Sequence, residues 1–257
     1  MERPDALVNF LGEESLTADG LSLSVLIPNP WDVYLDSITE VGTALEGVSF
    51  NGQARDLTYL EHLAGFFTPG PDHNLEVGLT AALGRTGPSE ALVQAVADAG
   101  LSGTLNPREE LRSTVQGLDL TYKWRPPQLN VYRSFLWQTE LLRSRRRLEA
   151  LTPAGALALD TVASLGGYTY AEWQFAKRWR AGARGDLSGF PDREVDREWA
   201  GSAVVRFQPS EFQELRFEYK HTRRNESAAL RFGGDRDDDQ IFFEWIPVIG
   251  AHGAHKF

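Results

Sequence analysis

The chain has no cysteine among its 257 residues, which excludes disulfide bonds and thiolate metal sites. It also lacks any apolar run approaching the roughly 18 to 20 residues of a membrane-spanning helix. Its formal net charge of −10 argues against a nucleic-acid-binding protein, because phosphate backbones favour a basic face. Met1–Asp5 has neither the basic nor the apolar region of a signal peptide. An exported chain would need such a segment, so we expect this sequence to be the carboxy-terminal portion of a longer protein.

Apolar and polar residues alternate along most of the chain, which predicts β-strands. Phe217 and Tyr219 alternate with Arg216, Glu218 and Lys220, so one side of this strand is densely charged. A soluble β-sandwich would show the same alternation with the apolar side buried, and the period alone does not separate the two classes. Comparable alternation occurs in segments 21–27, 75–83, 118–124, 131–141, 170–175, 199–208 and 240–246.

The lengths of the connections favour a membrane barrel. Short links are predicted at 28–31, 125–130, 177–178 and 208–211, and they alternate with long polar segments at 85–114, 145–164, 187–198 and 222–239. Short turns at one rim and long loops at the other are typical of outer-membrane barrels, whereas a sandwich has no reason to sort its loops. Such a barrel turns its apolar side outward to lipid and its polar side inward to water.

Aromatic residues near the short links give a third indication, because amphipathic rings prefer the membrane interface. The predicted aromatic girdle at the periplasmic rim consists of Trp31, Trp124, Trp179, Phe207 and Phe212.

The predicted fold class is therefore all-β, an antiparallel up-and-down transmembrane β-barrel with about 11 to 12 strands. We expect one domain over residues 1–257, with 1–19 as an irregular lead-in or partial strand and 85–114 as a long extracellular loop. Segment 89–100 is predicted to be a short helix in that loop, because Ser89 can act as the N-cap and Gly100 can end it. An odd strand count fits single-chain bacterial barrels poorly, so we expect an incomplete barrel that lacks amino-terminal strands.

Several stretches resemble a family of Gram-negative outer-membrane porin-like proteins, also described as putative porins or TonB-dependent receptor-like barrels. These stretches are Asn9–Glu14, Tyr122–Pro126, Phe175–Trp179, Ala181–Arg184, Pro209–Phe212, Tyr219–Thr222 and Ile249–Phe257. The resemblance implies a carboxy-terminal barrel portion and an assembly signal at the final Phe257. Residues Gly250–Lys256 depart from the alternating apolar pattern that this signal usually shows.

Charged residues on the inner side of the predicted strands are candidates for lining a pore and setting ion selectivity. They are Asp119, Lys123, Glu140, Glu172, Arg180, Arg184, Arg206, Arg216, Glu218, Lys220 and Glu244. A pair of these carboxylates could instead form a glycosidase site. However, no nucleophile elbow, phosphate loop or metalloprotease motif is present.

Other polar clusters have simpler interpretations. His252 and His255 could suggest zinc, but the Gly/Ala-rich tail does not fix their geometry, so no metal site is predicted. Asp235–Asp239 is interpreted as a solvated extracellular loop. The basic cluster Arg143–Arg147 is expected at the same rim, where it could contact lipopolysaccharide phosphates.

The sequence thus predicts a porin-like channel in the cell outer membrane for passive diffusion of small hydrophilic solutes or ions. No enzyme activity and no cofactor are expected. The expected partners are outer-membrane lipid, lipopolysaccharide, the barrel assembly machinery and small solutes, with homo-oligomerisation possible and no nucleic acid. Two alternatives stay open: the barrel portion of a TonB-dependent receptor, and a soluble β-rich binding protein or hydrolase.

Overall fold

The computed structural model describes residues 3–12, 16–31, 33–46, 48–51, 55–88, 90–102, 104–108 and 111–247. These residues form one antiparallel sheet of eleven strands in the order of the chain, from β1 to β11. The predicted all-β, up-and-down fold class is confirmed, with eleven strands. The strands are β1 (Thr17–Leu26), β2 (Tyr34–Glu46), β3 (Thr58–Gly70), β4 (His73–Thr86), β5 (Leu111–Trp124), β6 (Ser134–Leu151), β7 (Leu157–Ala176), β8 (Trp179–Phe190), β9 (Arg193–Ser210), β10 (Gln213–Arg224) and β11 (Asp237–Pro247).

Three helices accompany the sheet: α1 (Asp5–Leu11), α2 (Glu90–Asp98) and α3 (Glu226–Ala229), the last followed by a 3₁₀ turn at Leu230–Phe232. Helix α2 lies where the sequence predicted one, and it contacts β6. Helix α1 differs from the expectation of an irregular lead-in or partial strand over residues 1–19. Among the described residues, none of the helices is long and apolar enough to cross a membrane.

The connections alternate between the two ends of the sheet. The turn end holds the links 27–33, 71–72, 125–133, 177–178 and 211–212, and the loop end holds 47–57, 87–110, 152–156, 191–192 and 225–236. Two predicted long loops are wrong. In place of the loop predicted at 145–164, β6 extends to Leu151 and β7 begins at Leu157. In place of the loop predicted at 187–198, the tight turn Pro191–Asp192 joins β8 to β9. Charged residues at these strand ends resemble loop composition, although their backbones stay paired.

The two edge strands are not paired to each other among the described residues. β1 pairs with β2 and β11 pairs with β10, and both edge strands run from the loop end to the turn end. If β1 and β11 closed the sheet directly, they would therefore form a parallel pair in an otherwise antiparallel wall. An unpaired edge in hydrocarbon leaves backbone N–H and C=O groups unsatisfied at a cost of several kcal/mol each.

The main apolar core lies on the inner face of the sheet, around α1. It contains Phe10, Ala44, Phe50, Ala82, Val115 and Leu142, with Leu7, Leu11, Leu16 and Leu60 packed against it. Gly166 of β7 makes room for the helix, because a Cβ there would lie 2.8 Å from the ring of Phe10. The sheet thus curves around a short helix that fills part of its concave side.

Candidate channel lumen

Neighbouring residues on one strand differ sharply in exposure. Phe217 is 50% exposed and Glu218 only 1%, while Trp173 is 40% exposed and Glu172 only 8%. On β6 the pattern also separates two leucines, Leu141 at 54% and Leu142 at 4%. A soluble sandwich would bury Phe217 and Trp173 and expose the glutamates. The large apolar side chains therefore form the outer face, and the charged ones point to the inner face.

The strand register places all eleven predicted pore-lining residues on the inner face. Glu172, Arg184, Glu218 and Lys220 are buried there, Lys123 and Glu244 are exposed, and the other five are partly exposed. A role of these residues in lining a conducting pore stays a prediction.

Ion pairs join several of these side chains near the turn end. Arg206 Nε lies 3.2 Å from Glu172 Oε2, which also accepts a hydrogen bond of 2.6 Å from the Tyr170 hydroxyl. Arg216 of β10 pairs with Glu244 of β11 at 2.7 Å and with Glu214 of its own strand at 3.1 Å. Opposite charges thus neutralise much of the inner face on β7 to β11.

An acidic pair on β5 and β6 is different. Asp119 lies directly opposite Glu140, and Tyr168 follows on the next strand. Gly78 on β4 leaves space for this pair, because a Cβ there would lie 2.2 Å from a carboxylate oxygen of Asp119. No basic residue forms an ion pair with either carboxylate within the described ranges. This part of the inner face therefore places two acidic groups together without an ion-pair partner among the described residues.

Helix α1 is anchored to the inner face near the loop end. Lys220 Nζ donates to Asp5 Oδ1 at 2.5 Å, and the Asn9 amide donates to Ser188 Oγ at 3.0 Å. The fully buried Phe10 packs on the apolar side, against the core around Leu142. The helix obstructs part of the concave space. The helix was not predicted, although the spacing of its apolar residues Ala6, Leu7, Phe10 and Leu11 is typical of one side of an α-helix.

A cavity of about 740 Å³ lies between α1 and the loop end. Its walls include Val8, Phe50, Phe190 and Phe232, and the guanidinium of Arg146 faces it. The prediction of a basic surface cluster at Arg143–Arg147 is wrong for Arg146. Strand alternation turns Arg143, Arg145 and Arg147 outward and Arg146 inward, where it is 6% exposed.

The outer face has a different chemistry at each end. At the turn end Trp179 stacks on Phe207 with 4.4 Å between ring centroids, and Trp124 stacks on Trp173 at 5.6 Å. Trp31 and Phe212 are exposed in turns at this end. All five predicted girdle residues thus lie at one rim. Exposed arginines occupy the outer face towards the loop end: Arg85, Arg112, Arg143, Arg145, Arg147, Arg197 and Arg223.

One carboxylate interrupts the apolar outer face. Glu61 of β3 accepts hydrogen bonds from Ser37 at 2.5 Å, Thr39 at 2.7 Å and the Tyr59 hydroxyl at 2.9 Å. Three neutral donors thus surround its two oxygens, which lowers the cost of placing it on this side of the sheet.

Two further predictions concern chain segments near the carboxyl end. Asp237–Asp239 belongs to β11 rather than to a loop, and these residues pair with β10, where Asp239 accepts from His221 Nδ1 at 2.9 Å. The proposed assembly residue Phe257 lies outside the described residues, as do His252 and His255. Within the described ranges no three His, Asp or Glu side chains are arranged to hold a metal ion.

No family model matches the chain. An uncharacterized protein from Aquifex aeolicus (strain VF5) is 28% identical over 268 residues, which cover 96% of this chain and 53% of that protein. The chain thus spans about half the length of the curated relative that it matches.

Solved structures of TodX share a partial likeness. The TodX monoaromatic hydrocarbon channel deltaS2 mutant gives a TM-score of 0.43 at 11% identity, covering 91% of this chain and 74% of the mutant. The P. putida toluene transporter TodX gives 0.37 at 10% identity, covering 79% and 67%. At TM-scores below 0.5 these neighbours do not identify the fold, which is established by the strand register.

Proposed function

We propose that this chain forms wall strands of an outer-membrane channel that passes small hydrophilic solutes or ions by diffusion. The observation that carries the proposal is the division of side chains between the two faces of the sheet. Exposed apolar residues such as Phe217 and Trp173 suit contact with lipid, and inner residues such as Glu218 and Glu172 suit a hydrated path. The aromatic rim at the turn end suits the periplasmic interface.

The proposal includes the expected surroundings of such a wall. We propose that the exposed arginines at the loop end, Arg143, Arg145 and Arg147 among them, contact lipopolysaccharide phosphates. Insertion would use the barrel assembly machinery, as expected from the resemblance at Phe257. Completion of the wall needs additional strands, because β1 and β11 each keep one unpaired edge among the described residues and run in the same direction.

A second candidate, a barrel closed by an internal plug, is favoured by one observation. Helix α1 lies on the concave side and is tied to the wall by Asp5 and Asn9. In a plugged barrel the wall would be the same, but conduction would require the helix to leave.

Planar-bilayer recording of the purified protein, with the additional strands that complete its wall, tests both candidates. We expect stepwise conductance from the wild-type protein and larger steps after deletion of residues 3–12, because the helix obstructs the inner space. If only the deletion variant conducts, the result supports the plugged barrel and contradicts the open channel. If neither protein conducts, although both show the heat-modifiable gel migration of a folded barrel, the transport proposal is wrong.

A further inference from the structure

Arg146 is a buried cation that makes no ion pair within the described residues, although the carboxylate of Asp192 acts on it at longer range. Its Nη2 donates to Thr86 Oγ1, whereas its Nε is buried and has no hydrogen-bond partner. No carboxylate of the described residues forms an ion pair with it. Burying a charged group without a partner is costly, so a site that retains one usually has a use for it.

The other charged groups beside Arg146 are already engaged. Asp192 accepts from Arg231 Nη2 at 2.9 Å, and Asp196 accepts from Arg231 Nε at 2.5 Å. Burial alone would lower the pKa of Arg231, but its hydrogen bonds to Asp192 and Asp196 outweigh this and raise the pKa above its ordinary value. Arg193 Nε adds a longer contact of 3.9 Å to Asp196. Arg231 is therefore neutralised locally, and Arg146 is the cation left for an incoming group.

The cavity in front of Arg146 has the size and surface of a small-molecule site. Its volume of about 740 Å³ falls within the roughly 300 to 1,000 Å³ that ligand pockets occupy. Three rings, Phe50, Phe190 and Phe232, contribute to its walls, and the Phe190 and Phe232 centroids are 6.4 Å apart. Asn9 of α1 supplies an amide at the same cavity. Asp192 and Arg231 also line the cavity but pair with each other, so Arg146 is the lining cation without an ion pair among the described residues. Aromatic walls together with this cation suit a ligand with an apolar body and a single anionic group.

We propose that this cavity binds a small organic carboxylate with an aromatic or branched apolar body. The carboxylate accepts a hydrogen bond from the guanidinium group of Arg146, and the body lies against Phe190 and Phe232. A monoanion fits better than a phosphate dianion, because only one positive charge is uncompensated and a second negative charge would be buried without a partner. This site is independent of whether the wall conducts ions.

The test is calorimetric titration of the folded, detergent-solubilised protein with 3-phenylpropionate. The neutral isostere 3-phenylpropionamide and inorganic phosphate serve as the other two probes. We expect the acid to bind more tightly than the amide by about 10- to 150-fold, the range of a hydrogen bond to a charged group. Arg146→Gln should remove most of this difference and Arg146→Lys should restore part of it. Arg147→Gln, one residue away on the outer face, should leave the affinity unchanged.

Several results would overturn the proposal: equal affinity for acid and amide, undiminished acid binding to Arg146→Gln, tighter binding of phosphate, or no binding to folded wild-type protein. If Arg146→Gln does not fold, Phe232→Ala provides a second variant that should weaken both organic probes. In addition, the acid should raise the melting temperature of the wild-type protein more than the amide does. Because none of these measurements involves conductance, a failure here is distinct from a failure of the channel proposal.

Discussion

Adjacent residues at the centre of β5 test which face of the sheet meets lipid. Leu120 is on the outer face, paired with Val77 and Thr139, whereas Thr121 is on the inner face between Glu76 and Gln138. Both side chains are half-exposed, and both lie at the same depth of the wall. Replacing each in turn with lysine therefore changes the face and little else.

The expected difference in the free energy of unfolding is large. A lysine on the lipid face near the bilayer midplane costs about 2 to 4 kcal/mol, which corresponds to a roughly 30- to 700-fold change in the unfolding equilibrium. Leu120→Lys should show this loss. Thr121→Lys should stay within about 0.5 kcal/mol of the wild type, because its ammonium group reaches water and the neighbouring Glu76.

The measurement is denaturant unfolding of the protein from liposomes, followed by tryptophan fluorescence. Equal losses for the two variants, or a larger loss for Thr121→Lys, would refute the assignment of the outer face to lipid. The assignment of Glu172 and Glu218 to a hydrated interior would then also be wrong.

Three further predictions concern charge and closure. Changing Asp119 and Glu140 to their amides should shift the reversal potential in a KCl gradient away from cation preference, and an unchanged potential would show that this pair does not face the conducting path. Because the chain has no cysteine, the double variant Ser22→Cys with Gln240→Cys tests whether the edge strands β1 and β11 close directly on each other. We expect no disulfide cross-link between these two positions within one chain, whereas a control cysteine pair across the neighbouring strands β1 and β2 should cross-link. A cross-link between the two edge strands would show that the sheet closes through a parallel pair. Arg146→Met should raise the free energy of unfolding by about 1 to 3 kcal/mol in the absence of carboxylates, and a loss of stability in denaturant titration would show that Arg146 is compensated in the folded protein.

The faces of the sheet could be predicted from the sequence because strand alternation is a local property. Once Phe217 is outside, Glu218 must be inside, and the register carries this choice from strand to strand. The same rule applies within the arginine cluster, where it turns Arg146 away from Arg145 and Arg147. The inward orientation of Arg146 was not predicted, because a run of arginines is typical of a surface loop. The sequence therefore predicted that β6 ends before Arg145, whereas β6 stays paired to Leu151.

Helix α1 and the cavity above it could not be predicted, because both depend on contacts between distant parts of the chain. Asp5 meets Lys220 and Phe10 meets Gly166 only after the sheet has curved. A helix of this length is unstable alone, so its apolar spacing is a weak signal until a wall is available to pack against. Sites on the inner face of a curved sheet are therefore less accessible to sequence reasoning than the wall itself.

Helix α1 also explains why a largely polar inner face contains an apolar core. The half of the wall that includes Ala82, Val115 and Leu142 packs against α1, and the half that includes Ser188 and Lys220 supplies hydrogen bonds to it. If the helix left, this apolar surface would become exposed to water at about 25 cal/mol per Å². The helix also contributes to the wall of the Arg146 cavity through its carboxyl-terminal half. A ligand that binds the cavity only while the helix is in place must therefore stabilise the plugged arrangement, by the same free energy by which the helix favours the ligand.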